Sequence, residues 1–358
     1  MKHSYLLAGT RFSRFIRLLI RNRAVVINPK YWGRIIFLLQ NAVWASIFAW
    51  KEKQKMSSAI ANQKTPDNPV FIIGHWRTGS THLHKLMSLD SQFHAPSVFQ
   101  VSLPDSLLFS ERYYQPIMEK FMGKTRPMDN MKLSPTEPQE DEYAILKQSA
   151  CSPLEDLIFP KSKAFFLKDY TDYIPENEKL KKQFIKVFET FCKKLTLISN
   201  NKQLLFKNPF HTLRLPLLLE MFPNARFIYI TRNPLDVIPS SQHMWNIVGR
   251  QNCLKKEFVK PDVREICQIV LQFYKTVEKF KNLIKKDYFT QITYEDLEKS
   301  PVEELKRVYS ELHIDFTSEY EDRVNNYLNT ISNYKKNSYL LDQEQLELVN
   351  NIFKEYIS

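Results

Sequence analysis

Glycine, cysteine and long apolar runs are all scarce in this chain. With six glycines in 358 residues, two that stand close together need a backbone reason. The four cysteines, Cys151, Cys192, Cys253 and Cys267, lie far apart with no CxxC pair. That excludes a disulfide framework and fits buried thiols in a reducing compartment. Asn-x-Ser/Thr is missing despite many asparagines, which argues against a secretory lumen. The apolar run Ile35–Trp50 holds sixteen residues, including Gln40 and Asn41, short of the roughly 20 that span a bilayer. No small-residue cleavage site follows it, so it does not read as a cleavable signal. There is no internal repeat and no low-complexity tract.

What is present suits a globular protein: 43% hydrophobic residues, with aromatics at 13%, enough to bury a sizeable core. The net charge of +12 is unevenly spread, because residues 1–55 carry eleven Lys and Arg against the single acid Glu52. The rest of the chain is close to neutral. Arg11, Arg14, Arg17 and Arg21 recur at three- and four-residue steps with Phe12, Phe15, Ile16 and Leu19 between them, predicting an amphipathic helix with a cationic face. The expected partner of such an arm is an anionic membrane surface, met peripherally through residues 11–50. Nucleic acid is not expected, since its binders more often spread basic residues over a folded reading surface. Ile35–Trp50 predicts a packed or interfacial helix, with a membrane anchor as the alternative. The division expected is a basic helical extension over residues 1–65 and a catalytic domain over 66–358, separated by the polar, two-proline stretch Asn62–Pro69.

Beyond that stretch, short apolar β-rich runs alternate with helical patterns. Val70–Ile73, Leu204–Phe206, Arg226–Ile230 and Phe289–Thr293 read as strands. Lys179–Leu197, Arg264–Ile284 and Val302–Leu312 read as helices between them. The expected fold class is α/β, a doubly wound parallel sheet of the P-loop type flanked by helices, with the helical N-terminal extension added.

Two strand-to-helix turns carry chemistry. Gly74-His75-Trp76-Arg77-Thr78-Gly79-Ser80-Thr81 holds two of the six glycines at the spacing of a phosphate-cradling loop. Such a loop aims N–H groups and the positive end of a helix at an anion. A nucleoside triphosphate motif places Lys directly after the second glycine; here Ser80 stands there and the cation, Arg77, precedes Gly79. The strand through Ile230 ends in Thr231-Arg232 rather than in a magnesium-holding Asp. Both departures argue against an ordinary ATPase or GTPase. In the second turn, Arg232 at a strand end and Ser240 eight residues on can converge on one phosphate; Asp236 is the structural alternative as a partner for the arginine. Two anion sites together suit a nucleotide phosphorylated at both ends of its nucleoside.

On these residues the chain resembles the PAPS-dependent sulfotransferases, in particular a bacterial branch related to the tyrosylprotein and cytosolic enzymes. The RTGST loop is similar to the family's 5′-phosphosulfate motif, which gives Arg77, Thr78, Gly79, Ser80 and Thr81 a role in donor binding. The RNPLDVIPS segment is similar to its 3′-phosphate motif, with Arg232 and Ser240. Tyr294-Glu295-Asp296-Leu297, followed by Pro301, is similar to a late YEDL element whose tyrosine lies near the base. The likeness covers Pro69–Leu312 and leaves out the cationic arm. It implies a sulfuryl transfer from PAPS to an acceptor hydroxyl, without a metal. Less charge builds up there than in phosphoryl transfer, so side-chain cations can replace Mg²⁺.

Arg77 is the first such cation and Lys207, at a strand end, the second; the bland reading of Lys207 is a solvated strand-end lysine. For the base, cytosolic relatives place a histidine close to the matching lysine, so His211 is favoured slightly, although four residues is a wider interval than theirs. Its rivals are Glu140 and Glu142, in an acidic cluster opening a helix, whose bland reading is favourable charge at a helix N-terminus. Relatives that use a glutamate carry it soon after the phosphate loop, where this chain has Ser97-Val98-Phe99-Gln100. His82 and His84, two apart on a helix, point to different faces and do not chelate. Asn333–Asn337 offers a further donor to the 3′-phosphate or a plain basic turn.

The acceptor expected is a lipophilic alcohol such as a sterol or lipid, and the location cytoplasmic, peripheral at the inner face of a membrane. Two alternatives from other classes are a P-loop kinase and a non-catalytic membrane-surface binding protein.

Overall fold

The computed structural model describes residues 6–23, 28–122, 134–160, 177–255, 258–331 and 339–356. Its centre is a parallel sheet of five strands: β1 (Val70–Gly74), β2 (Phe93–His94), β3 (Gln203–Lys207), β4 (Arg226–Thr231) and β5 (Phe289–Thr293), in the order β2-β3-β1-β4-β5. The four longer strands are those expected from the sequence. β2 leaves no pattern at two residues, and pairs only through Phe93 with Gln203 and His94 with Leu204.

Every residue of β1 is buried, as befits a central strand covered on both faces. Its alternate side chains feed two different clusters. Phe71 and Ile73 pack with Phe206, Phe227 and the helix Glu178–Ile198, through Phe184, Phe188 and Phe191. Val70 and Ile72 pack with Leu83 and Leu86 of α3 (Ser80–Met87) and with Leu305 and Val308 of the helix Pro301–Glu311. A parallel sheet brings all its C-terminal strand ends to one edge. Register places Lys207 beside Ile72, Gly74 beside Ile230 and Thr231 beside Thr293.

The N-terminal residues form α1 (Phe12–Arg21) and α2 (Trp32–Asn62), the latter 31 residues long. The sixteen-residue apolar run is the first part of a helix almost twice that length. Phe15 and Leu18 of α1 and Leu38 and Ala42 of α2 are buried in a third cluster, shared with Trp76, Trp245 and Phe273. The cationic face of α1 is partly spent on the body: Arg14 and Arg21 both reach Glu155, which is nearly buried. Deeper in, Glu52 of α2 lies 2.6 Å from Lys194, and its other oxygen accepts from the backbone N–H of Leu108 and Phe109 at 2.8 and 3.1 Å. All four cysteines are buried and free.

Candidate active site

The first turn is shaped by three residues with positive φ: Gly74 (139°), Arg77 (68°) and Gly79 (83°). At Gly74 an added Cβ would sit 2.4 Å from the carbonyl oxygen of Ile230, so only glycine lets β1 leave the sheet beside β4. Thr212, fully buried, fixes this exit: its hydroxyl accepts from Gly74 N–H at 2.9 Å and donates to Gly74 C=O at 3.1 Å. Inside the loop Thr78 Oγ1 donates to His75 C=O at 2.7 Å. Burial holds the His75 imidazole neutral, its pKa lowered to about 3. Ser80 and Thr81 open α3, where the first N–H groups have no intrahelical acceptor.

Tyr294, directly after β5, closes the turn from above. A Cβ on Gly79 would lie 2.1 Å from its ring, and the Arg232 guanidinium sits 4.5 Å from the ring centroid on a cation–π contact. Gly79→Ala therefore meets both a left-handed backbone and a blocked space. We expect it to weaken nucleotide binding at least roughly tenfold by calorimetry; Gly79→Ala with Tyr294→Ala relieves the clash but not the backbone strain, and recovers only part.

The second turn joins the first. Arg77 Nε donates to Ser240 Oγ at 2.9 Å, across 163 residues of sequence. Arg232 Nη2 donates to Asp236 Oδ2 at 3.1 Å, the structural pairing open from the sequence. Its position is set by Asn233, which caps the helix Pro234–Asn252 by accepting from Leu235 N–H at 2.9 Å, and by Glu295, which accepts from Asn233 N–H at 3.0 Å. Arg77, Thr78, Gly79, Ser80, Thr81, Arg232, Ser240 and Tyr294 thus converge at the end of β1, β4 and β5.

Lys207 ends β3 on the other side of the loop. Its Nζ donates to Thr81 Oγ1 at 3.3 Å and to Glu140 Oε1 at 2.5 Å. This lysine is buried rather than solvated. Its positive charge, after burial, is the next cause that pushes the His84 pKa down. Glu140 arrives from far along the chain because residues 137–139 run beside 96–98: Val98 N–H bonds to Glu137 C=O at 2.9 Å and Gln139 N–H to Pro96 C=O at 2.8 Å. The acidic segment thereby lies against the very stretch in which a glutamate was missed from the sequence.

The other two base candidates, His211 and Glu142, are placed elsewhere. The chain turns into a one-turn helix, Phe210–Leu213, right after β3. This swings the His211 ring under the sheet, edge-on to Phe71 and Phe188 at 5.4 and 5.2 Å and with Nε2 2.8 Å from Asp141 Oδ2. Neither side chain has any exposed surface, so no acceptor can rest on this imidazole. Glu142 is equally enclosed. Arg214 grips it with two bonds of 2.6 and 3.0 Å, and Asn208 Nδ2 adds a third at 2.9 Å. Arg214 and Thr212 were missed from the sequence; the one clue to Arg214 is a charge set among the leucines of Leu213–Leu219.

His84 is buried and His82 half-buried, both with pKa values lowered by that burial. Among the described residues no three His, Cys, Asp or Glu side chains are grouped so as to hold a metal ion. The segment Asn333–Asn337 lies outside the described residues.

Comparison with known proteins gives the family and the fold. The profile described as the Sulfotransferase family matches residues 69–318. The omega-hydroxy-beta-dihydromenaquinone-9 sulfotransferase Stf3 of Mycobacterium tuberculosis is 30% identical over 352 residues, 98% of this chain and 89% of that protein. The alignment therefore takes in the cationic arm as well. Among solved structures, sulfotransferase STF9 from Mycobacterium avium superposes with a TM-score of 0.69 at 16% identity, over 97% of this chain and 96% of that one. For STF1 from Mycobacterium tuberculosis H37Rv the values are 0.65, 14%, 96% and 92%. At those identities the likeness concerns the fold.

Proposed function

The chain belongs to the sulfotransferase family, and from that premise we propose that it takes PAPS as donor and a lipophilic alcohol as acceptor. The observation that carries the donor is the Arg77–Ser240 bond of 2.9 Å, which makes the two anion turns parts of a single site. Bound there, PAPS would supply a sulfuryl group already activated as a mixed anhydride. The backbone N–H groups of Gly79, Ser80 and Thr81 would hold its 5′ end, Arg232 and Ser240 its 3′-phosphate, with Tyr294 at the base.

Glu140 is the general base in this reading. It accepts the proton of the acceptor hydroxyl as the oxygen bonds to sulfur. Lys207 takes up the charge that appears on the departing phosphate oxygen, with Arg77 on the transferred group. Lys207 and Glu140, a pair before binding, would part as each turns to its own end of the reaction. The acceptor class rests on the Mycobacterium tuberculosis relative, whose name gives a lipid quinone bearing a terminal hydroxyl, and on the apolar N-terminal helices beside the site. With this goes a cytoplasmic location at a membrane's inner face.

Calorimetry tests the donor. Arg232→Ala is expected to weaken 3′,5′-ADP by roughly ten- to a hundredfold, as loss of a charge-assisted phosphate contact should, and to leave 5′-AMP nearly unchanged. Equal losses for the two nucleotides would contradict the site. For the acceptor, comparable turnover of a membrane alcohol and a soluble sugar would remove its basis.

A further inference from the structure

The most unusual surface of the molecule is the outward side of α2. Its inward side is small, with Ala42, Ala45 and Ala49 buried against the body. Its outward side is large and apolar: Trp32 is 62% exposed, Trp44 and Trp50 are each 60% exposed, and Ile36, Phe37, Val43 and Ile47 stand between them. At 100° per residue these seven share one arc of the helix, interrupted only by Gly33 and Gln40. A helix of a water-soluble surface distributes its residues the other way round. The apolar arc ends at Trp50, after which Lys51, Lys53 and Lys55 are all exposed. The helix Leu107–Phe121, packed beside α2, adds Tyr113 and Ile117, 57% and 50% exposed. Beside Trp50 lies a cleft of about 680 Å³, lined by Phe12, Trp50 and Ile60 together with Arg11 and Lys53.

We propose that this face lies in the plane of an anionic lipid bilayer, with the indoles at headgroup depth and the lysines and arginines among the phosphates. By length and composition α2 is able to cross a membrane, but bonds tie it both to the chain ahead of it and to the body. Asn41 accepts from Gly9 N–H at 2.5 Å, Ser46 accepts from Phe12 N–H at 2.8 Å, and Glu52 meets Lys194. The helix therefore lies on the surface instead of threading it. Charge decides against a second copy as the occupant. Lys51, Lys53 and Lys55 stand exposed at the end of the arc, and the acid among them, Glu52, is buried. Two such faces would press like charges together, whereas anionic phosphates complement them. The inward side of the same helix shares its cluster with Trp76 of the phosphate loop, so docking also sets the active site beside the lipid. The proposal deepens the acceptor reading above and rests on it only for its biological use.

The test is co-sedimentation of the full chain with vesicles of 30% phosphatidylglycerol in phosphatidylcholine, against pure phosphatidylcholine, with tryptophan emission followed in parallel. Binding and a blue shift with the anionic vesicles are expected. Trp44→Ala/Trp50→Ala and, separately, Lys51→Glu/Lys53→Glu/Lys55→Glu should each weaken binding by roughly tenfold or more. Thermal melting checks that both variants are folded. Equal binding to both vesicle types, or no effect of either variant, overturns the proposal. So does a dimer in light scattering that Trp44→Ala/Trp50→Ala converts to monomer. Affinity for 3′,5′-ADP is measured on the same samples: its loss in the unmodified chain would indict the donor site, and its retention without vesicle binding would indict this surface alone.

Discussion

Glu140→Gln should lower kcat by roughly two to four orders of magnitude, the usual worth of a positioned general base, while 3′,5′-ADP binds no more weakly than before. The amide keeps the size of the carboxylate and the contact with Lys207, yet cannot accept the hydroxyl proton. Lys207→Met should cost roughly a hundred- to a thousandfold in kcat, because charge on the leaving oxygen then goes unanswered in a buried place. His211→Gln is the control. It perturbs packing against Phe71 and Phe188, so the protein melts earlier, but kcat per folded molecule stays within about tenfold of the unmodified chain. An active Glu140→Gln beside an inactive, folded His211→Gln would restore the imidazole as the base.

Arg214→Leu is expected to destabilise the protein by about 3–5 kcal/mol, read as a fall in the urea midpoint. The guanidinium is wholly buried and stacked over Phe184 at 5.0 Å, and its two bonds to Glu142 are matched by one to Cys151 C=O at 3.1 Å. Removing it leaves a carboxylate in the interior with only Asn208 to solvate it. The double variant Arg214→Leu/Glu142→Leu removes both charges and should recover more than half of the loss. A single-variant effect below about 1 kcal/mol would show that water reaches this pair.

The strands were legible because a parallel sheet buried on both faces writes itself as short apolar β-branched runs, and the two glycines of the first turn stood out against a chain that has so few. Helix ends were legible to within a few residues, except in α2, which runs on from Trp50 to Asn62. The base was not. Lys207 and His211 are four apart and read as neighbours, but a one-turn helix rotates the second away from the first. Glu140 is 67 residues from Lys207 and reaches it only because residues 137–139 pair with 96–98, a contact with no local signature. The direction of α2 was hidden for a related reason. Apolar spacing tells which residues share a face, not whether that face looks inward, and here the alanines took the inside.

Glu52 gives the N-terminal helices a standing that the polar stretch before β1 does not suggest. A fragment begun at residue 66 would remove the carboxylate partner of the Lys194 ammonium and uncap the helix Leu107–Phe121 at two amides. It would also bare the hydrophobic flank of Trp76, and with it the underside of the loop that grips the nucleotide. The helices Phe12–Arg21 and Trp32–Asn62 thus pack as a wall of the enzyme.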